Sequence, residues 1–147
     1  MKAVVQRVDW AKLEIDQKEY CSINLGLLVL LGFTHTDREE LFEWFCNKLI
    51  NLRIFNDEQG KMNLSVKDIN GEIMVVSNFT LYGDVTRGFR PSYSDAMKPD
   101  VAEILYNKFV KFFQEKYPNT KIVSGKFGAM MNIQFVNNGP VTIIIEK

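Results

Sequence analysis

The sequence is poor in the residues on which metal and acid–base chemistry usually depends. Its 147 residues include one histidine, His35, and two cysteines, Cys21 and Cys46, which are not spaced as a C-x-x-C pair. It contains no H-E-x-x-H, Walker or G-x-S-x-G pattern. We therefore expect no metal, no cofactor and no histidine-based triad. His35 follows a predicted strand, where a loop role is commoner than a catalytic one, so we assign it no function.

Long apolar runs and an excess of one charge are also missing. The longest apolar run, Leu27 to Leu31 with its neighbours, is far shorter than the roughly 20 residues that span a bilayer. The formal net charge is +0, so any contact with RNA would need a local patch. Without a signal peptide or a disulfide pattern, the sequence predicts a cytoplasmic protein with no membrane contact.

The remaining pattern predicts one domain over residues 1–147 that contains several strands and two main helices. Hydrophobic residues make up 46% of the chain, which is enough for one core. A continuous apolar run bounded by glycines, Gly26–Gly32, predicts a strand buried on both faces at the centre of the sheet. A further strand is predicted over Glu72–Ser77.

Two segments have helical periodicity. The spacing of Thr36 and Glu39 is that of a capping box, which predicts a first helix from Thr36 to about Asn51. Pro99 suits the first turn of a second helix, which Tyr117-Pro118 ends. Its predicted buried stripe consists of Val101, Leu105, Phe109 and Phe112.

A Gly-Pro pair interrupts the last apolar stretch. The segment Asn137-Asn138-Gly139-Pro140-Val141-Thr142 separates two predicted strands, 131–136 and 141–145. Proline fixes its own φ and glycine tolerates conformations closed to other residues, so a sharp turn is expected. The local sequence alone favours an ordinary β-turn and leaves open whether the Gly139–Pro140 bond is cis or trans.

Two hydroxyl residues and a basic loop are further candidates for functional residues. Ser77 and Thr80 have no base nearby in the sequence, so a hydrogen-bonding pair and a catalytic role remain equally open. Arg87 and Arg90 flank Phe89 in a polar loop. Charge and stacking of this kind can hold single-stranded RNA, although a solvated loop is the simpler interpretation.

The two motifs together resemble a known family. Ser77-Asn78-Phe79-Thr80-Leu81 resembles the Ser-Gln-Phe-Thr-Leu signature of the D-aminoacyl-tRNA deacylases, also called D-tyrosyl-tRNA deacylases. Asn137-Asn138-Gly139-Pro140-Val141-Thr142 resembles their Asn-x-Gly-Pro-Val-Thr signature. Further similar segments occur in the same order along the whole chain, among them Gln6-Arg7-Val8 and Gly125-Lys126-Phe127-Gly128-Ala129.

This resemblance implies a compact, β-rich α/β fold in which a mixed, barrel-like sheet packs with two main helices. It also implies a homodimer that hydrolyses the ester between a D-amino acid, or glycine, and the 3′ end of tRNA. In the family, the Gly-Pro turn in its cis form enters the partner's pocket beside the other signature. Carried over, Gly139 and Pro140 would exclude L-aminoacyl esters, with Asn137, Val141, Thr142 and Met131 completing the substrate pocket. Arg7 would brace the turn.

The resemblance also implies a mechanism without a protein base. Phe79 and Thr80 N–H groups are our candidates for stabilising the oxyanion, with Ser77 and Asn78 beside them. The substrate 2′-hydroxyl would assist the attacking water, while Thr80 orients groups; the alternative is Thr80 as nucleophile. Asn78 departs from the usual glutamine and has a side chain shorter by one methylene.

Two other classes of function stay open at this stage. A non-catalytic homodimeric binding module could use the same cleft to hold an RNA end or a small amino-acid ligand. A general esterase could act through Thr80. The three differ in substrate dependence, because an esterase should cleave esters lacking a ribose, the deacylase should need the 2′-hydroxyl, and a binding module should cleave neither.

Overall fold

The computed structural model describes all residues 1–147 as eight strands, two α-helices and two 3₁₀ turns. The strands are β1 (Lys2–Ile15), β2 (Lys18–Ile23), β3 (Gly26–Gly32), β4 (Phe55–Asn56), β5 (Met62–Leu64), β6 (Glu72–Ser77), β7 (Ile122–Ser124) and β8 (Asn132–Glu146). The helices are α1 (Phe42–Asn51) and α2 (Pro99–Lys116). The 3₁₀ turns cover Glu39–Leu41 and Phe79–Tyr82.

Six strands form one mixed sheet, in which the two longest strands, β1 and β8, pair with each other. The order is β2-β1-β3-β6-β7, and β8 also pairs with β1. Strand β1 pairs antiparallel with β3 through its first half, with β2 through its second half, and with β8 along both. Strand β6 lies parallel to β3 and β7. The sheet is nearly closed, which confirms the predicted α/β architecture with a mixed sheet and two helices.

The core lies on both faces of this sheet. The larger cluster packs α1 and α2 against one face and includes Phe45, Leu49 and Phe109, all fully buried. A smaller cluster around Leu13 and Met74 fills the other face. Strand β3 contributes to both clusters and is buried along nearly its whole length, as its apolar run predicts.

The predicted start of the first helix is wrong. Helix α1 begins at Phe42 behind the 3₁₀ turn, and no side chain caps it. The chain around Thr36 is held by a different contact. The buried Asp37 carboxylate accepts hydrogen bonds from the Met1 ammonium at 2.6 Å and from Thr34 N–H at 2.8 Å. The predicted end near Asn51 is confirmed.

Helix α2 begins at Pro99, as predicted, but its buried face is rotated from the expected one. Val101 is 49% exposed and Phe112 only packs at the margin of the core. Leu105 and Phe109 are buried as predicted, together with Ala102, Tyr106, Val110 and Phe113. No helix of the protein is both long enough and apolar enough to cross a membrane.

Candidate active site

The first signature lies at the carboxyl end of a central strand. Strand β6 is buried from Ile73 to Val76, between the parallel strands β3 and β7. Beyond Ser77, the N–H of Asn78 still donates to Leu31 O at 2.8 Å. The chain then leaves the sheet as the 3₁₀ turn Phe79–Tyr82. The carboxyl ends of parallel strands are where open α/β sheets commonly place their ligands.

Asn78 caps this turn with its side chain. Its Oδ1 accepts hydrogen bonds from Thr80 N–H at 3.2 Å and from Thr80 Oγ1 at 2.5 Å. Asparagine is well suited to this position because its short amide reaches the backbone two residues on. The Thr80 N–H, one of the two expected oxyanion donors, is therefore already used within the protein. The other, Phe79 N–H, belongs to the first residue of the turn and has no partner within it.

A cleft of about 690 Å³ opens beside this turn, and most of its lining is apolar. It brings together Ser77, Asn78 and Phe79 with Met131. Segments 93–99 and 127–131 supply much of the remaining wall. Phe79 is 58% exposed, and its ring packs edge-on against Tyr93 with centroids 5.0 Å apart. A binding site of this kind, apolar with a few polar groups, suits a small organic ligand.

His35, which we gave no role on sequence grounds, also lines the cleft. Its Nε2 lies 2.7 Å from Ser94 O. A carbonyl oxygen only accepts, so Nε2 donates and Nδ1 is the acceptor of the neutral ring. The pairing of strands explains this placement, because His35 follows β3 and Ser77 ends its parallel neighbour β6, which brings both residues to the same edge of the sheet.

The cleft wall contains one charged side chain, Lys98, and no aspartate or glutamate. No group of three or more His, Cys, Asp or Glu side chains is placed to hold a metal ion anywhere in the chain. A carboxylate base is therefore absent from the cleft wall.

The second signature is a protrusion from one strand and not a turn between two. Strand β8 is continuous from Asn132 to Glu146, and both parts pair with β1. Gln6 and Val8 are two residues apart on β1, yet their partners Thr142 and Asn137 are five apart on β8. The extra residues form a bulge that contains the Gly139–Pro140 bond, which is cis. Local sequence could not foresee this, because pairing with β1 carries the strand past the bulge.

Three polar side chains hold the base of the bulge. Asn137 Nδ2 donates to Arg7 O and Val141 O, both at 3.0 Å. Asn138 Nδ2 donates to Asp9 Oδ1 at 2.5 Å. The Arg7 guanidinium donates from Nε to Asn138 O at 3.1 Å and from Nη1 to Ile54 O at 2.6 Å. Arg7 thus joins the bulge to the chain that follows α1.

Within one chain, the two signatures do not meet. No residue of 137–142 lines the cleft, and neither Arg7 nor Thr80 does. Arg87 and Arg90 lie exposed in the loop that leads to Tyr93, outside the cleft, and Phe89 between them is fully exposed. The structure therefore places the first signature at the cleft and the Gly-Pro bulge elsewhere on the surface.

Comparison with known proteins identifies the family. The family model for D-Tyr-tRNA(Tyr) deacylase matches residues 4–146. The chain belongs to this family. It is therefore a deacylase, as the two signatures together predict.

Individual relatives are similar to this chain over its full length. A D-aminoacyl-tRNA deacylase of Thermotoga petrophila is 53% identical, covering 100% of this chain and 97% of that protein. The D-aminoacyl-tRNA deacylase of Clostridioides difficile is 48% identical with the same coverage. Among solved structures, c-Myc DNA Unwinding Element Binding Protein is 41% identical and superposes with a TM-score of 0.94 over 100% of this chain and 99% of that one.

A solved structure with a much less similar sequence has the same fold. A eukaryotic protein described as a probable D-amino acid tRNA deacylase superposes with a TM-score of 0.85 over 98% of this chain and 97% of its own. The two are only 18% identical, so this likeness concerns the fold alone.

Proposed function

We propose that the protein hydrolyses the ester bond of D-aminoacyl-tRNA and of glycyl-tRNA, releasing the amino acid and tRNA, and that residues 1–147 act as one catalytic domain. The observation that carries the proposal is the position of the deacylase signature Ser77–Phe79 in the wall of the cleft. The substrate class follows from relatives about half identical over the full chain. Such an enzyme would act in the cytoplasm, where aminoacyl-tRNA is used.

The composition of the cleft supports hydrolysis assisted by the substrate. The Thr80 hydroxyl donates to an amide oxygen, which is far too weak a base to take its proton. No carboxylate lines the cleft. The ribose 2′-hydroxyl can instead accept a proton from the attacking water and give its own to the departing 3′-oxygen. The products are then the free amino acid and an intact terminal ribose, with every proton accounted for.

A homodimer would bring the two signatures together. The Gly139–Pro140 bulge lies away from the cleft of its own chain. Strand β8, which carries it, pairs only with β1 and exposes Phe135, Val136 and Ile144 on its surface. An unpaired strand edge with exposed apolar side chains is suited to association with a second copy. We place the bulge of each subunit in the cleft of its partner.

In that position the bulge would act as a steric filter. A wall made of backbone at Gly139 and Pro140 leaves no room for a side chain in the L direction and leaves the D direction open. This is selection by exclusion of the wrong ligand. Asn137, Val141 and Thr142 would support the wall, and Met131 would contact the amino acid from the cleft side. Arg87 and Arg90, exposed in the loop before Tyr93, would contact the tRNA.

Release of amino acid from D-tyrosyl-tRNA and L-tyrosyl-tRNA, measured side by side, tests the proposal. We expect the D ester to be cleaved about 100-fold faster or more, because a steric clash penalises only the L ester. A D-tyrosyl-tRNA with a 2′-deoxy terminal ribose should be stable. Cleavage of that analogue would instead favour His35 as the base. Release from simple esters lacking ribose would favour a general esterase, and no release at all would favour a binding module.

The variant Thr80→Val tests the role of the hydroxyl. If Thr80 only orients its neighbour, kcat should fall by about 5-fold, since one hydrogen bond of roughly 1 kcal/mol is lost. Loss of a nucleophile would lower kcat by about 10⁴-fold or more. Single-turnover release from D-tyrosyl-tRNA distinguishes these outcomes, and trapping of an acyl-enzyme on the wild-type protein would support the nucleophilic route.

A further inference from the structure

A second, smaller groove of about 340 Å³ adjoins the cleft. The two share three lining residues, His35, Met97 and Lys98, so one continuous surface leads from the first signature into the groove. The rest of the groove wall comes from the chain between β3 and α1 and from the first two turns of α2, namely Asp37, Arg38, Glu39, Val101 and Leu105. The mostly apolar cleft therefore continues into a groove rich in charged side chains.

Both carboxylates of the groove are already neutralised by cations of the protein. Asp37 pairs with the N-terminal ammonium at 2.6 Å, and Glu39 pairs with Lys108 Nζ at 2.5 Å. Neither Arg38 nor Lys98, the two cations that line the groove, forms a salt bridge. The groove thus carries two positive charges that no carboxylate of the chain compensates.

The Arg38 guanidinium is held in place by the backbone. Its Nη1 donates to His35 O at 2.9 Å and to Asp37 O at 2.7 Å. Nε and Nη2 make no hydrogen bond within the protein, and the residue is exposed. A guanidinium that is already fixed loses less side-chain freedom when it binds a ligand, and its planar set of donors matches the oxygens of a phosphate.

We propose that Arg38 and Lys98 bind the phosphate that joins the terminal nucleotide of tRNA to the rest of its 3′ strand. The inference rests on the deacylase function proposed above, which places the ester beside Ser77–Phe79. The ribose that carries the ester carries this phosphate on its 5′ carbon, so the phosphate lies within one nucleotide of the ester. The groove begins in the wall of the cleft itself, and its charge is opposite to that of the phosphate.

The double variant Arg38→Gln/Lys98→Gln removes both charges and keeps polar side chains. We expect KM for D-tyrosyl-tRNA at low salt to rise by about 10-fold, with a much smaller change in kcat, because the contact is the same before and during the reaction. The slope of log KM against log salt concentration should fall by about 0.7, the value for one phosphate contact on a single strand. The control Lys18→Gln/Lys111→Gln removes two exposed charges that line neither surface and should keep the wild-type KM and slope.

Two minimal substrates separate a phosphate contact from a structural role of Arg38. They are D-tyrosine esterified to the 3′-oxygen of adenosine and to that of adenosine 5′-monophosphate. The wild-type protein should have a KM about 10-fold lower for the phosphorylated ester, and the double variant should lose this preference. Equal impairment of the double variant on both esters would overturn the inference, because a purely structural effect does not depend on the phosphate. So would a wild-type KM and salt slope of the double variant with D-tyrosyl-tRNA.

Failure of the proposed function has a different signature. In that case the wild-type protein releases no D-tyrosine from D-tyrosyl-tRNA or from either minimal ester. If the wild-type protein acts on D-tyrosyl-tRNA alone, KM and its salt slope on that substrate decide the inference by themselves. Thermal melting checks that each variant is folded.

Discussion

Replacing Gly139 with alanine is expected to lower kcat/KM for D-tyrosyl-tRNA by at least about 100-fold. Gly139 has φ of 123°, a region that residues with a β-carbon rarely adopt. A β-carbon there would lie 2.7 Å from Val141 Cγ2, 2.8 Å from Arg7 Nη2 and 2.9 Å from Val141 N. The bulge must therefore move, and a displacement of about 1 Å in a positioning element can cost this much activity.

Gly60→Ala is the matched control. Gly60 also has a positive φ, 75°, but an added β-carbon there would meet nothing within 4 Å. It should reduce stability modestly and leave both kcat/KM and the preference for the D ester unchanged. Steady-state release from the D and L esters measures both variants. An active and D-selective Gly139→Ala enzyme would contradict the role assigned to the bulge.

Arg7→Met is expected to destabilise the fold by about 2–4 kcal/mol and to abolish most deacylation. Arg7 is 7% exposed and has no carboxylate partner. Its guanidinium instead serves two carbonyls, Asn138 O in the bulge and Ile54 O behind α1. Methionine fills similar volume without donors, so both carbonyls lose their bond to a charged group. Without this link, the bulge is no longer held at its observed place.

Arg53→Met provides the comparison for this effect. Arg53 also makes two hydrogen bonds, to Asn63 O and Asn63 Oδ1, but it is exposed. Water can replace those bonds, so we expect a loss of less than about 1 kcal/mol. Urea unfolding at fixed protein concentration measures both variants. Equal destabilisation by Arg7→Met and Arg53→Met would mean that burial of the Arg7 guanidinium has no special role.

Several elements could be predicted because their causes are local. The apolar run of β3 is bounded by glycines, and β6 and the start of α2 at Pro99 follow from residues within a few positions. The two signatures pointed to the deacylase family because they are short contiguous strings in the right order. Contiguous patterns of this kind are visible in a sequence without knowledge of the fold.

Other features depend on residues far apart in the chain. Asp37 pairs with Met1 and not with a helix start, because the ends of the chain meet beside it. The Gly-Pro segment is a bulge and not a hairpin turn, because β1 pairs with β8 on both sides of it. His35 reaches the cleft because β3 and β6 are parallel neighbours.

The sequence by itself determined the family, the main strands and helices, and the residue types of both signatures, since each depends on local chemistry. The tertiary structure alone decided how those residues are used. The Asn78 amide has a fixed direction because the 3₁₀ turn folds Thr80 back onto it. The bulge is separated from its own cleft because the pairing of β8 with β1, from the other end of the chain, sets its position. Long-range pairing of this kind leaves no periodic pattern in the sequence, so only the folded chain reveals it.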